Sequence, residues 1–239
     1  NNDGEFGPDA DQDIIKCGSY TGTGVASNPV DVTLGFEPQW VLIKNASNSQ
    51  DWYIVDTMRG FTTDDQNDVV LSPNSTNTDT TFTRVIAPTP TGFKITSDYN
   101  EFNQSGNTFI YMAIRRGPLA QPESATEVFA PVLSDVVDPR LEGGFLVDMA
   151  FWRATSAANT EISSRITGDK RMFTNDTSVE SSSSKIKWDF MEGLYAGGIT
   201  TSYSWLWKRA LGFFDVVAYT GTGVAGRTVS HNLGVAPEM

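Results

Sequence analysis

The chain is short of the residues that disulfide-bonded modules and many hydrolases depend on. Cysteine occurs once in 239 residues, at Cys17, so no intrachain disulfide can form and a disulfide-stapled secreted module is excluded. Histidine also occurs once, at His231, which argues against a His-based triad or a His-rich zinc site. No apolar run reaches the roughly 18 residues that mark a membrane-spanning helix. The first residues, Asn1-Asn2-Asp3-Gly4-Glu5, are polar, form no signal peptide and include no initiator Met, so a processed or partial chain is expected. Basic side chains are scarce, 17 against 29 acidic ones, for a net charge of -12. Such a surface repels DNA, RNA and anionic lipid, so neither nucleic-acid binding nor membrane insertion is expected.

What is present points to a folded, strand-rich protein. Hydrophobic residues make up 39% and aromatics 11%, too many for a disordered chain. The 21 glycines and 11 prolines, together with abundant Thr, Ser and Asn, suit short strands joined by many turns.

An internal repeat organises the chain. Residues 20 to 26 and 219 to 225 both read Tyr-Thr-Gly-Thr-Gly-Val-Ala, an offset of 199 (219 − 20). The register holds without a gap: Leu34-Gly35 matches Leu233-Gly234, and Pro38 matches Pro237. The repeated turn comprises Tyr20, Gly22 and Gly24 in the first copy and Tyr219, Gly221 and Gly223 in the second. The first copy runs on into Trp40-Val41-Leu42-Ile43-Lys44, whereas the second reaches Met239 before that strand. The expectation is that more chain follows or that another subunit supplies the missing strand, since an open sheet edge is a liability. A fainter half-length repeat aligns Trp40 to Lys44 with Met149 to Arg153, and Tyr111 to Arg116 with Trp205 to Arg209.

Alternation and turn residues predict strands at 14–20, 29–34, 39–44, 51–57, 69–71, 80–86, 92–97 and 107–115, with no helical period of any length. A second series is predicted at 127–132, 145–153, 160–165, 171–174, 184–190, 201–209 and 213–219. The predicted fold is all-β: an antiparallel β-sandwich, jelly-roll or lectin-like, built as two diverged sandwich units in tandem. The expected division is an arm or linker over 1–13, a first sandwich over 14–117, a linker over 118–126, a second sandwich-like unit over 127–216, and the start of a further, truncated repeat over 217–239.

Chemistry-bearing patterns are sparse. Tyr-Thr-Gly-Thr-Gly lacks the Lys-Ser/Thr and the helix of a phosphate loop, so it is read as a turn. Asp64, Asp65 and Asp68 share one predicted loop and are the candidate metal ligands. Calcium is the cation such oxygens would take, but the spacing matches no EF-hand, so a solvated loop without any cofactor is the favoured reading. Trp52, Tyr53, Tyr203, Trp205 and Trp207 could stack on sugar rings. The last three share one strand face, a pattern also given by a buried inter-sheet or inter-subunit core, which is favoured. The carboxylate pairs Asp98 with Glu101 and Asp189 with Glu192 could serve a polysaccharide-degrading enzyme only if they shared a cleft, and they are read as surface charges. Cys17 is expected to be a small buried hydrophobe. Arg115-Arg116 and Lys208-Arg209 each end a strand and are expected in structural ion pairs with carboxylates such as Asp56 or Asp148.

Taken together, several segments resemble repeat units of large structural proteins of tailed bacteriophages, many of them marine. They are Tyr20-Thr21-Gly22-Thr23-Gly24, Leu34-Gly35-Phe36-Glu37-Pro38, Val41-Leu42-Ile43-Lys44, Asp56-Thr57-Met58-Arg59-Gly60, Ser72-Pro73-Asn74-Ser75-Thr76, Gly92-Phe93-Lys94-Ile95 and the aromatic strand Phe109 to Arg115. The resemblance covers most of 17–116, returns more weakly over 145–216 and again strongly over 217–239. It departs at 163–168, where Ser163-Ser164-Arg165-Ile166-Thr167-Gly168 replaces the Asp-x-x-Arg-Gly element. It implies a non-enzymatic virion or extracellular protein of the tail-fibre or appendage kind, serving assembly and host-surface attachment. The implied partners are other virion structural proteins, further copies of itself (a trimer by family analogy) and a host glycan. A lectin-like carbohydrate-binding module is the alternative, and no catalytic residues carry over.

Overall fold

A computed structural model describes residues 13–63, 67–117, 121–134, 140–156, 158–188, 190–197 and 201–238. The chain forms two compact units, Asn1–Leu119 with Val217–Ser230, and Ala120–Val216 with His231–Met239.

Unit 1 contains β1 (Ile15–Thr21), β2 (Val30–Thr33), β3 (Pro38–Asn45), β4 (Trp52–Asp56), β5 (Asn67–Val70), β6 (Thr80–Thr83), β7 (Ile86–Thr89), β8 (Gly92–Ile95), a one-turn helix α1 (Asn100–Asn103) and β9 (Thr108–Arg115). The main sheet has the order β1-β9-β3-β4, and a second sheet has the order β2-β8-β7. Every pairing is antiparallel. Tyr20, Val41, Ile43, Val55 and Phe109 from the first sheet and Val32, Ile86, Phe93 and Ile95 from the second share one core, which makes unit 1 a two-layer β-sandwich. Asn45 sets the β3–β4 turn, its Oδ1 accepting from the backbone N–H of Ser47 at 3.0 Å and of Asn48 at 3.1 Å.

Unit 2 contains β10 (Phe129–Ser134), β11 (Arg140–Glu142), β12 (Met149–Ala154), β13 (Glu161–Ser164), β14 (Lys170–Phe173), β15 (Ser181–Ser182), β16 (Ile186–Lys187), β17 (Gly193–Ala196) and β18 (Ser202–Trp207). Its main sheet runs β10-β18-β12-β13-β14-β15, and its second sheet runs β11-β17-β16. The first four strands of this main sheet and all three of the second repeat the orders of unit 1, where the counterparts of β14 and β15, β5 and β6, pair as a separate two-stranded sheet. Trp40 lies opposite Ile114 and Asp56, and Met149 lies opposite Trp207 and Ser164. Even the bridge from Ile54 to Leu71 has its counterpart in the pairing of Ile162 with Met172. The half-length repeat is therefore a repeated strand order with diverged side chains.

The interiors differ. In unit 1 the inward row at one end of the main sheet is Tyr20, Phe109 and Asn45, and the next is Gly18, Tyr111 and Ile43. Tyr20 stacks on Phe109 at 5.0 Å, and Tyr111 meets Phe93 edge-on at 5.3 Å. The matching rows of unit 2 are Ser134, Ser202 and Ala154, then Val132, Ser204 and Trp152. Unit 2 gives up three rings and recovers part of that volume with Trp152 and with Trp188, both buried.

Unit 2 also holds a buried guanidinium. Arg165 donates from Nε to the Val147 carbonyl at 3.0 Å, from Nη1 to Trp188 at 3.0 Å, and from Nη2 to Phe190 at 3.0 Å and Met191 at 3.2 Å. Its Cζ lies over the Trp188 ring, 5.1 Å from the ring centre. Burial pulls its pKa down to about 10, so it is charged at neutral pH and satisfies several loop carbonyls at once.

Several sequence expectations change. The segment 213–219 forms no strand; Phe214 makes only an isolated bridge to Ala210. β1 exists because β9 pairs with it along its whole length, and 213–219 has no such partner among the described residues. The strand expected at 145–153 begins at Met149, and that expected at 184–190 shrinks to Ile186–Lys187. The strand Gly193–Ala196 was not anticipated. Cys17 is exposed, not buried, because it sits on the outward phase of β1. The strand-end arginines form ion pairs: Arg116 with Glu37 at 3.9 Å and Arg209 with Asp215 at 2.5 Å. Asp148 accepts the Arg209 backbone N–H at 2.7 Å, and Asp56 pairs with Arg59.

Candidate functional site

A solvated antiparallel sheet ordinarily alternates apolar inward and polar outward positions. Neither main sheet does so. In unit 2 the outward rows are Leu133, Tyr203 and Arg153; then Pro131, Trp205, Phe151, Ile162 and Met172; then Phe129, Trp207 and Met149. Leu133 is 60% exposed, Tyr203 55% and Met172 45%, while Trp205, Phe151 and Ile162 are half-buried. Trp207 is wedged between Phe129 and Phe151, each 5.1 Å away between ring centres. Arg153 is the single charge on those rows.

The outward rows of unit 1 follow the same plan: Cys17, Met112, Leu42, Ile54 and Leu71 form the middle row, with Ile15, Ile114 and Trp40 on one side and Ile110 and Trp52 on the other. Ile15 is 56% exposed and Ile110 41%. Lys44 and Asp56 are the charges there. On a chain of net charge -12, two charge-poor apolar sheet faces resemble the central part of protein–protein interfaces, where charged side chains are depleted and aromatics and Met enriched.

The sequence-predicted residues fall into place unevenly. Tyr203, Trp205 and Trp207 do share a face, but it is the outer one. Ser202, Ser204 and Leu206 turn inward, so the expectation of an inter-sheet core at the three aromatics is overturned. Trp52 and Tyr53 are consecutive and point to opposite faces. Trp52 is outward, whereas Tyr53 is buried against Phe102 at 4.8 Å, so the two cannot form one sugar platform. Asp64 and Asp65 lie outside the described residues. Asp68 is buried in β5, where its carboxylate accepts the backbone N–H groups of Val85 at 2.6 Å and Ile86 at 3.1 Å. Its solvated-loop reading is corrected: it anchors the β6–β7 turn. Among the described residues no group of three His, Cys, Asp or Glu side chains comes together. Asp189 lies outside the described residues.

The repeated turn adopts two states. In the first copy, the Tyr20 hydroxyl donates to the Phe102 carbonyl at 2.7 Å, and Asn103 Oδ1 accepts from the Thr23 backbone N–H at 2.7 Å. Gly22 packs so closely that a Cβ there would lie 2.3 Å from the Gln104 carbonyl oxygen, so no larger residue fits. In the second copy, Gly221 and Gly223 face open space. Gly24 and Gly223 nonetheless share φ of 70°, so the local turn persists without its tertiary partners.

The outward residues Leu133, Phe151, Ile162 and Met172 were not singled out from sequence. The signal lay in uninterrupted apolar runs, Trp40-Val41-Leu42-Ile43 and Met149-Ala150-Phe151-Trp152, which in an antiparallel strand mean that both faces are apolar.

A domain model described as a domain of unknown function (DUF7483) matches residues 12–118, less than half of the chain. That span covers the strands of unit 1 and stops before those of unit 2. No curated protein and no solved structure matches.

Proposed function

We propose that this chain is a non-enzymatic structural module of a virion appendage, of the tail-fibre kind, and that it assembles through the outer faces of its two main sheets. The observation that carries this reading is the apolar middle row on both faces, Cys17-Met112-Leu42-Ile54 in unit 1 and Pro131-Trp205-Phe151-Ile162 in unit 2. Burying such a face stabilises association by roughly 25 cal/mol per Å² before the entropic costs of binding. The occupants it favours are other virion structural proteins and further copies of this chain. The resemblance of residues 17–116 to phage repeat units supports the setting. Mass spectrometry of purified particles tests it: peptides of this chain are expected among the structural proteins, and their absence from an otherwise complete particle proteome would sink the assignment.

A second reading, attachment to a host glycan, is favoured by Tyr203, which is open to solvent and lies directly across from Arg153. A glycan array with the folded chain tests it. Binding that survives Tyr203→Ala would move the contact elsewhere.

A further inference from the structure

We infer that unit 2 encloses an ordered-water site on the inner side of its main sheet, between the indole N–H of Trp152 and the hydroxyl of Ser204. Trp152 and Ser204 are direct cross-strand partners on β12 and β18. Both point inward, and they are 2% and 1% exposed. Neither Trp152 Nε1 nor Ser204 Oγ has a hydrogen-bond partner, although an indole N–H and a hydroxyl held away from solvent are ordinarily satisfied. They also do not bond to each other. Two such groups on adjacent positions of one face, one a pure donor and the other both donor and acceptor, are what a single water can bridge.

Unit 1 shows why the site belongs to unit 2 alone. The same two register positions hold Ile43 and Tyr111. Ile43 carries no polar atom, and the Tyr111 ring fills the space against Phe93. Replacing Tyr111 by Ser204, Phe109 by Ser202 and Tyr20 by Ser134 removes rings and leaves hydroxyls. Ser134 and Ser202 are already occupied with each other, Ser134 Oγ donating to the Ser202 carbonyl at 3.1 Å. Trp188 has likewise found a partner, its Nε1 donating to Ser163 Oγ at 3.1 Å. Of these inward serines and tryptophans, Trp152 and Ser204 are the pair left without partners; the other such atom in unit 2 among the described residues, Arg171 Nε, belongs to a side chain held by Glu161. The charged side chain opposite Trp152 on that row, Glu161 of β13, is already paired with Arg171 at 2.6 Å, so the two groups left for a ligand are a neutral N–H and a hydroxyl, which suit water.

The test uses the full chain, by crystallography and in solution. A crystal structure is expected to show an oxygen peak about 2.7–3.2 Å from both Trp152 Nε1 and Ser204 Oγ. With ¹⁵N-labelled tryptophan, the indole signal lost in Trp152→Phe is expected to show a nuclear Overhauser cross-peak to water while exchanging slowly with deuterium. Direct apolar packing at that spot with no oxygen peak, or a protein carbonyl on the indole N–H, would overturn the inference. So would a Trp152 indole proton with no cross-peak to water.

Discussion

Tyr20 and Tyr219 begin the same seven-residue segment, yet one is 8% exposed and the other 64%. Tyr20 lies in a strand paired with β9, stacked on Phe109 and bonded to the Phe102 carbonyl. Tyr219 has the Arg227 guanidinium 5.6 Å from its ring centre and, among the described residues, no strand partner. Both segments keep the positive φ at their second glycine. The turn is thus encoded locally, and the strand before it is not: β1 is made by β9, α1 and Asn103. The comparison of unit 1 with unit 2 teaches the same lesson on a larger scale. One strand order accommodates an aromatic interior in the first and a serine-bearing interior with a buried arginine in the second, while both keep an apolar outer face.

The largest expected effect separates the two tyrosines. Tyr20→Ala should destabilise unit 1 by about 4 kcal/mol, since it removes a buried ring and a buried hydrogen bond. Tyr219→Ala should stay within about 0.5 kcal/mol. Hydrogen exchange followed on peptides of unit 1 in denaturant would read both, and equal losses would break the contrast between the copies.

Next in size is Arg165→Met, which strands the carbonyls of Val147, Trp188, Phe190 and Met191. Unit 2 should lose about 3 kcal/mol, because charge-assisted bonds inside a core are among the costlier to remove. Peptides from β12 and β17 should lose protection while those from β3 and β9 keep theirs. A uniform loss across both units would show that they do not respond separately.

Asn103→Ala is expected to cost about 2 kcal/mol in unit 1 by releasing the Thr23 N–H and the Ser97 carbonyl, bonded at 2.7 and 2.6 Å. In that variant the first-copy turn should exchange like the second copy.

High pH gives a gentler test. Burial raises the pKa of Tyr20, Tyr53 and Tyr111 above the ordinary 10.0; all three belong to unit 1. A phenol whose folded pKa is raised contributes stability that is complete below the unfolded value and is lost as pH rises beyond it. Unit 1 should therefore weaken progressively above about pH 10, with tyrosinate absorbance appearing together with loss of protection in β1 and β9. Ionisation of all tyrosines before any such loss would contradict the burial argument.

Much of this was legible in sequence because it rests on periodicity. The 199-residue match, the half-length repeat and most strands of both units follow from alternation and turn residues. What stayed hidden depended on which phase of an alternation faces inward. In Ser202-Tyr203-Ser204-Trp205-Leu206-Trp207 the bulky rings suggest the core phase, but β10 and β12 set the sheet so that the serines and Leu206 go in. Gly193-Leu194-Tyr195-Ala196 is too short and too weak in β-formers to stand out, and becomes a strand through its neighbours β11 and β16. Asp68 reads as one of three loop acids, and only tertiary structure reveals the two backbone N–H groups waiting for it.

The claim that the outer faces are assembly surfaces is tested most directly by sedimentation of the full chain over a concentration series, beside variants carrying Leu42→Lys or Phe151→Lys. Both substitutions lie on the outward face and leave the inner cores untouched, so each variant is expected to stay folded, which circular dichroism checks before sedimentation. The wild-type chain is expected to associate as concentration rises, and each lysine variant to shift that association to higher concentration. A wild-type chain that stays monomeric throughout, or lysine variants that associate as it does, would contradict the account.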